Sequence, residues 1–123
     1  MGGWCAYTAT EKISRVVDMI ADTGCDATDP CEEAPDGDIT LAELKRRVGG
    51  RLTLFGSMQL KLLENGSADE VRKETRRMMR DGKSGGRFVL MPTAAPISVP
   101  LSPRTEENYL AYIDAALECA GYE

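Results

Sequence analysis

The sequence predicts an α/β fold of parallel strands, four βα units in a single domain over residues 1–123. Two observations carry that reading. Serine or threonine stands three residues ahead of glutamate at several points, each opening a stretch of helical apolar spacing. Between those stretches lie apolar runs the length of one strand. The total of 123 residues allows one core and no large enzyme fold.

The first unit begins in "GWCAY", the remnant of a strand at residues 3–7. Thr8 with Glu11 then caps a helix of about four turns that carries Ile13, Val16, Val17 and Ile20 as far as Gly24. "CDATDP" at 25–30 is the next strand-sized run. Thr40 with Glu43 opens a shorter helix bearing Leu41, Leu44 and Val48, which "VGG" ends. "RLTLFG" at 51–56 follows. The segment from Ser57 to Glu64, closed by Asn65-Gly66, reads as a short extra helix. Ser67 with Glu70 caps a third main helix, with Val71, Thr75, Met78 and Met79 on one side and Gly82 past its end. After "RFVLMP" at 87–92, a last helix starts near Thr105, and its apolar stripe is Tyr109, Ile113, Ala116, Leu117 and Ala120.

The order is therefore β-α-β-α-β-α-α-β-α, and such alternation implies parallel strands joined by right-handed crossovers. Four βα units equal half of an eight-stranded (β/α)₈ barrel. An open sheet with helices on both faces fits the same pattern, and periodicity does not separate the two. In either case function belongs at the C-terminal ends of the strands. Those ends are Ala6-Tyr7-Thr8, the stretch from Asp29 to Asp38, Gly56-Ser57-Met58-Gln59, and the proline-rich loop after "FVLMP".

Composition excludes several classes of function. A net charge of −5, with both signs spread along the helices, argues against nucleic acid or an anionic membrane surface as partner. No apolar run approaches the roughly 18–20 residues of a membrane span, and the start lacks the pattern of a signal peptide. A cytoplasmic protein with reduced thiols at Cys5, Cys25, Cys31 and Cys119 is the expectation. Histidine is absent, which removes the commonest general base and the commonest zinc ligand. Chemistry would rest on carboxylates, thiols, tyrosines and arginines.

Four longer stretches narrow the reading: "GDITLAELKRRVGGRLTLFGSMQ", "LLENGSADEVRKETRRMM", "GGRFVLMPTAAPI" and "PLSPRTEENYLAYIDAALECAGY". Together they resemble the C-terminal half of the uroporphyrinogen decarboxylase superfamily, from about Thr10 to Tyr122. That superfamily holds the decarboxylase and the methyltransferases that work between corrinoid proteins and thiols, and the resemblance implies part of a (β/α)₈ barrel. Zinc and a corrinoid are implied by the family only; for this chain alone no cofactor is expected. In the zinc-dependent members a His-x-Cys pair and a later cysteine hold the metal. Here Cys5 is the only such position kept, and "Met91-Pro92-Thr93-Ala94-Ala95-Pro96" has no cysteine. Cys5 therefore reads as a small buried side chain at a strand end rather than a zinc ligand. Thr93 and Ala94 stand near the position of the decarboxylase histidine, so Thr93 shapes a pocket wall.

Among the acids Asp29, Glu32, Glu33, Asp36 and Asp38, the family's habit of an acidic residue after this proline points to Glu32. The rest read as a solvated acidic loop, with Asp38 near a helix N-terminus. Arg104 is the one cation of the strand-end loops and the candidate anion contact. Lys45-Arg46-Arg47 and Arg76, Arg77 and Arg80 read as solvated helix faces, and Met58, Met78, Met79 and Met91 as core filling. The leading expectation is a C-terminal part of such an enzyme, of decarboxylase or cobalamin-dependent methyltransferase type, inactive alone. The alternatives are a non-catalytic half-barrel that self-associates or binds a partner, and a stand-alone small-ligand-binding α/β domain. The expected partner is a second copy or a missing N-terminal half-barrel.

Overall fold

Thr40 and Ser67 each accept a hydrogen bond from the backbone N–H three residues on, Glu43 N and Glu70 N, both at 3.1 Å. These contacts satisfy one orphan donor of each helix start and fix where the helices begin. The computed structural model describes residues 5–7 and 12–121. Its strands are β1 (Ala6–Tyr7), β2 (Ala27–Cys31), β3 (Thr53–Met58) and β4 (Phe88–Pro92). Its helices are α1 (Val17–Asp22), α2 (Leu41–Val48), α3 (Leu60–Asn65), α4 (Ala68–Gly82) and α5 (Pro103–Glu118). The predicted order of elements holds throughout.

All strands are parallel, and the sheet runs β1-β2-β3-β4 without reversal. Right-handed crossovers between successive neighbours put every helix on the same side of the sheet. The packing agrees: Val17 and Ile20 of α1, Leu41 and Leu44 of α2, Leu63 of α3, Val71 and Met78 of α4 and Tyr112 of α5 share one core with Leu54 and Met58. Helices on both faces are therefore ruled out, and the half-barrel arrangement is the one formed. On the sheet's other face Phe55 and Met91 are half-buried and Val89 is 40% exposed.

Three elements depart from expectation. α1 has six residues instead of four turns, and the Thr8–Glu11 cap lies outside the described residues. Ser14 gives its N–H to Asp38 Oδ1 at 3.0 Å and its carbonyl accepts from Arg47 at 2.7 Å, so neither group serves a helical ladder. Ser57 and Met58 belong to β3, which leaves α3 to start at Leu60.

The third departure is the rotation of α5. It buries Thr105, Asn108, Ala111, Tyr112 and Ala115, while Leu110, Ile113 and Leu117 are 58%, 47% and 68% exposed. Asn108 sets this orientation. Its Nδ2 donates to Leu63 O at 2.9 Å and Gly66 O at 2.8 Å, satisfying carbonyls at the end of α3 that have no helical partner. Turning the predicted stripe inward would strand those groups. The helix also begins two residues earlier than expected, with Ser102 as cap to Thr105 N and Pro103 at its first position.

Candidate functional site at the strand ends

The C-terminal ends of β2 and β3 open on a cavity of about 430 Å³ lined by Glu33, Ser57, Gln59 and Arg77 among others. Glu33, its side chain 14% exposed, is among the lining residues. One carboxylate oxygen accepts from Ser57 Oγ at 3.0 Å and from Arg77 Nη2 at 2.5 Å; the other accepts from Leu41 N at 2.7 Å and from Arg77 Nη1 at 3.4 Å. Four donors fill what a carboxylate can accept. Glu33 thus ties the end of β2 to the start of α2, the end of β3 and the middle of α4.

Arg77 completes the hub with Glu74 and Asp81, bonded at 2.7 and 2.9 Å. The bonds to Glu74 and then Glu33 raise its pKa further above the arginine range, against the opposing effect of burial. With each nitrogen already engaged by carboxylates, Arg77 offers no free fork to an anion. Sequence reasoning placed Arg77 on a solvated face and Glu33 in a solvated loop. Their spacing of 44 residues leaves no local signal for the pair.

The other acids of this end divide in the same way. Asp36 pairs with Lys61 at 2.9 Å, and Asp38 accepts from Ser14 N and Oγ, which lowers its pKa. Glu32 is half-buried, and no hydrogen bond to its carboxylate occurs among the described residues. Desolvation, then the charge of Asp36, raises its pKa against the pull of Lys61. A carboxyl group with a raised pKa at a strand end is suited to hold or release a proton.

Thr93 lies at the same end, its N–H bonded to Met58 O at 2.8 Å, which carries the β3–β4 ladder one residue past β4. Ala94 and Ala95 beside it are exposed. The register Cys31↔Gly56↔Leu90 sets Glu32, Ser57 and Met91 at one level, with Thr93 two residues beyond it. Arg104 is close by in the chain and exposed; its Nη1 donates to Asn65 O at 3.1 Å, at the end of α3.

Cys5 is at the opposite end. Its backbone pairs with Asp26 ahead of β2, roughly 17 Å along the strands from Cys31. It is exposed, not buried as expected, and its thiol lies 3.6 Å from that of Cys25. The Cys25 contact raises the Cys5 pKa. Two thiols do not complete a tetrahedral zinc site, and among the described residues no group of three or more cysteines or acids could hold a metal ion. The described residues do not make up a donor set for the zinc of the methyltransferases. Cys31, buried at the end of β2, has its thiol pKa pushed up to about 11 by desolvation.

Comparison with known proteins gives this geometry a context. The family model of uroporphyrinogen decarboxylase (URO-D) matches residues 6–115. A search among curated proteins finds no match. Among solved structures, a methyltransferase from Methanosarcina mazei superposes with a TM-score of 0.72 at 21% identity, over 98% of this chain and 32% of its own. The chain thus spans about a third of the length of the structure it matches. No helix among the described residues is long and apolar enough to cross a membrane.

Proposed function

Since the chain belongs to the uroporphyrinogen decarboxylase family, we propose that it supplies the C-terminal half-barrel of an enzyme of that family, decarboxylating or methyl-transferring, and is inactive by itself. The observation that carries this reading is the state of the strand-end groups: Glu33, Asp36, Asp38, Arg77 and Arg104 are all bound within the fold. They build a rigid rim; of Asp29 and Glu32, the two acids of this end with no hydrogen bond to the carboxylate among the described residues, Glu32 lies past the end of β2 and is the one assigned to exchange a proton with a substrate. Groups that grip an anionic substrate or activate a thiol would come from the remaining βα units. Thr93 would contribute to the pocket wall, and any zinc or corrinoid would be held outside this chain. An enzyme of this kind works in the cytoplasm, on a small organic substrate.

The test is an activity assay in two steps. The chain alone should neither decarboxylate uroporphyrinogen nor move a methyl group from methylcobalamin to a thiol. Adding the N-terminal half of a family member should produce one of these activities, and Glu32→Gln should then lower kcat about 10²-fold or more while leaving KM largely unchanged. Turnover by the unsupplemented chain would defeat the proposal, as would a full rate with Glu32→Gln.

A further inference from the structure

Two thiols stand together at the end of the sheet away from the candidate site. Cys5 is exposed and Cys25 is buried, and their sulfurs lie 3.6 Å apart. The backbone holds them in place. Cys5 N donates to Asp26 Oδ2 at 2.8 Å, while Cys5 O accepts from Asp26 N at 2.8 Å and from Ala27 N at 3.2 Å, so both backbone groups of Cys5 are fastened to the residues that follow Cys25. The Cys25 thiol in turn reaches Cys5 O at 3.3 Å and Ala27 O at 3.4 Å.

These contacts meet the geometric needs of a covalent link. Ala6 pairs with Ala27, which sets Cys5 level with Asp26 and puts Cys25 one residue off, on the diagonal. With strands about 4.8 Å apart and a rise of about 3.3 Å per residue, the two Cα atoms stand roughly 6 Å apart, inside the span of a disulfide. The sulfurs have roughly 1.5 Å to close between contact and bond, which a change of side-chain torsion supplies. Among the described residues no other two thiols touch; the partner of the buried Cys31 thiol is Thr28.

We propose that Cys5 and Cys25 form a reversible disulfide that locks β1 onto β2. The co-reactant is a small-molecule disulfide. The exposed Cys5 thiolate attacks one of its sulfurs and releases one small thiol; Cys25, giving up its proton, then attacks the Cys5 sulfur of that mixed disulfide and releases the second. Two protein thiols and one small disulfide become one protein disulfide and two small thiols, so the two electrons lost by the protein reduce the co-reactant. Excess small thiol runs the same steps backwards. The contact with Cys25 keeps the Cys5 proton on, so the exchange is slow at neutral pH and the bond accumulates under sustained oxidising conditions. β1 has two residues and pairs with β2 over those two, and the bond would close the 20 positions from Cys5 to Cys25, with α1 between them. The site lies at the opposite end of the strands from Glu32, and the inference stands apart from the chain's activity.

The test equilibrates the purified, reduced chain in glutathione buffers that run from thiol excess to about a hundredfold excess of the disulfide form. Free thiols are then trapped with N-ethylmaleimide, and the products are mapped by mass spectrometry. Two of the four thiols should be lost, with the peptide holding Cys5 joined to the peptide holding Cys25 and the chain still single on a non-reducing gel. The oxidised chain should melt about 5 °C or more above the reduced one. Cys5→Ser, at an exposed position, should keep its remaining thiols free and melt alike in both buffers, whereas Cys119→Ser should leave the cross-link intact. Four free thiols at the highest disulfide excess would overturn the proposal. So would a bond that uses Cys31 or Cys119 or joins two chains, and so would an oxidised chain that melts no higher than the reduced one.

Discussion

α4 and α5 are near twins in length, 15 and 16 residues, and each starts at a serine whose hydroxyl accepts from the third backbone N–H beyond it. Their surfaces differ. α4 lies between α2 and α5, buries Val71, Thr75 and Met78, and carries its arginines in ion pairs, Arg76 on the surface and Arg77 in the half-buried hub. α5 ends the helix layer; it buries Ala111, Ala115, Asn108 and Tyr112, and leaves its leucines in water. A helix with neighbours on both flanks shows one apolar face, whereas α5, at the end of the layer, exposes a second one.

The contrast is sharpest in core truncation. Met78→Ala should cost about 2–5 kcal/mol in urea denaturation, and Leu117→Ala less than about 0.5 kcal/mol at concentrations where the chain is monomeric. Equal losses would erase the distinction between the two helices. Next in size is the hub on α4: Arg77→Met strips the counter-charge from a mostly buried Glu33 and should cost about 2–4 kcal/mol, discounted for the partial exposure of the pair. Glu33→Gln, which keeps the shape and one acceptor, should cost about 1–2 kcal/mol. A hub in which both changes were silent would put α4 on the same footing as α5.

The caps come third. Ser67→Ala and Ser102→Ala should each cost about 1 kcal/mol, read as a lower thermal midpoint. If only Ser67→Ala registers, α5 contributes little to the stability of the isolated chain. The smallest effect is on acid stability. The folded-state pKa of Asp38 is depressed, first by the Ser14 hydroxyl and then by the Ser14 N–H. Its contribution is therefore present above the ordinary aspartate value of about 3.9 and is lost as pH falls through the lower folded value. Asp38→Asn should flatten that acid limb in urea titrations between about pH 5 and 2, leaving the neutral plateau unchanged in slope.

What was legible in the sequence was what is local. The caps at Thr40 and Ser67 are decided within three residues, and the apolar face of α2 within eight. The alternation of elements, and so the parallel α/β class, follows from the same short-range signals. Strand order was not legible, because β2 through β4 are similar apolar runs and nothing in such a run names its neighbour. The orientation of α5 was hidden for a related reason: Asn108 is anchored to carbonyls 45 and 42 residues away. At the candidate site Glu32 and Thr93 lie at the C-terminal strand ends. The Glu33–Arg77 pair was missed, and Cys5 and Arg104 were tied to other parts of the fold.

The unreversed strand order has a bearing on how the chain is made. Each strand pairs with the strand of the preceding unit, and the helix layer follows the same succession from α1 through α2 and α4 to α5. Among the described residues no strand pairs with one several units away. As on a repeat array, each unit emerging from the ribosome finds its docking surface already built, so the growing chain can add structure from its N-terminal side without holding a long unpaired segment in reserve.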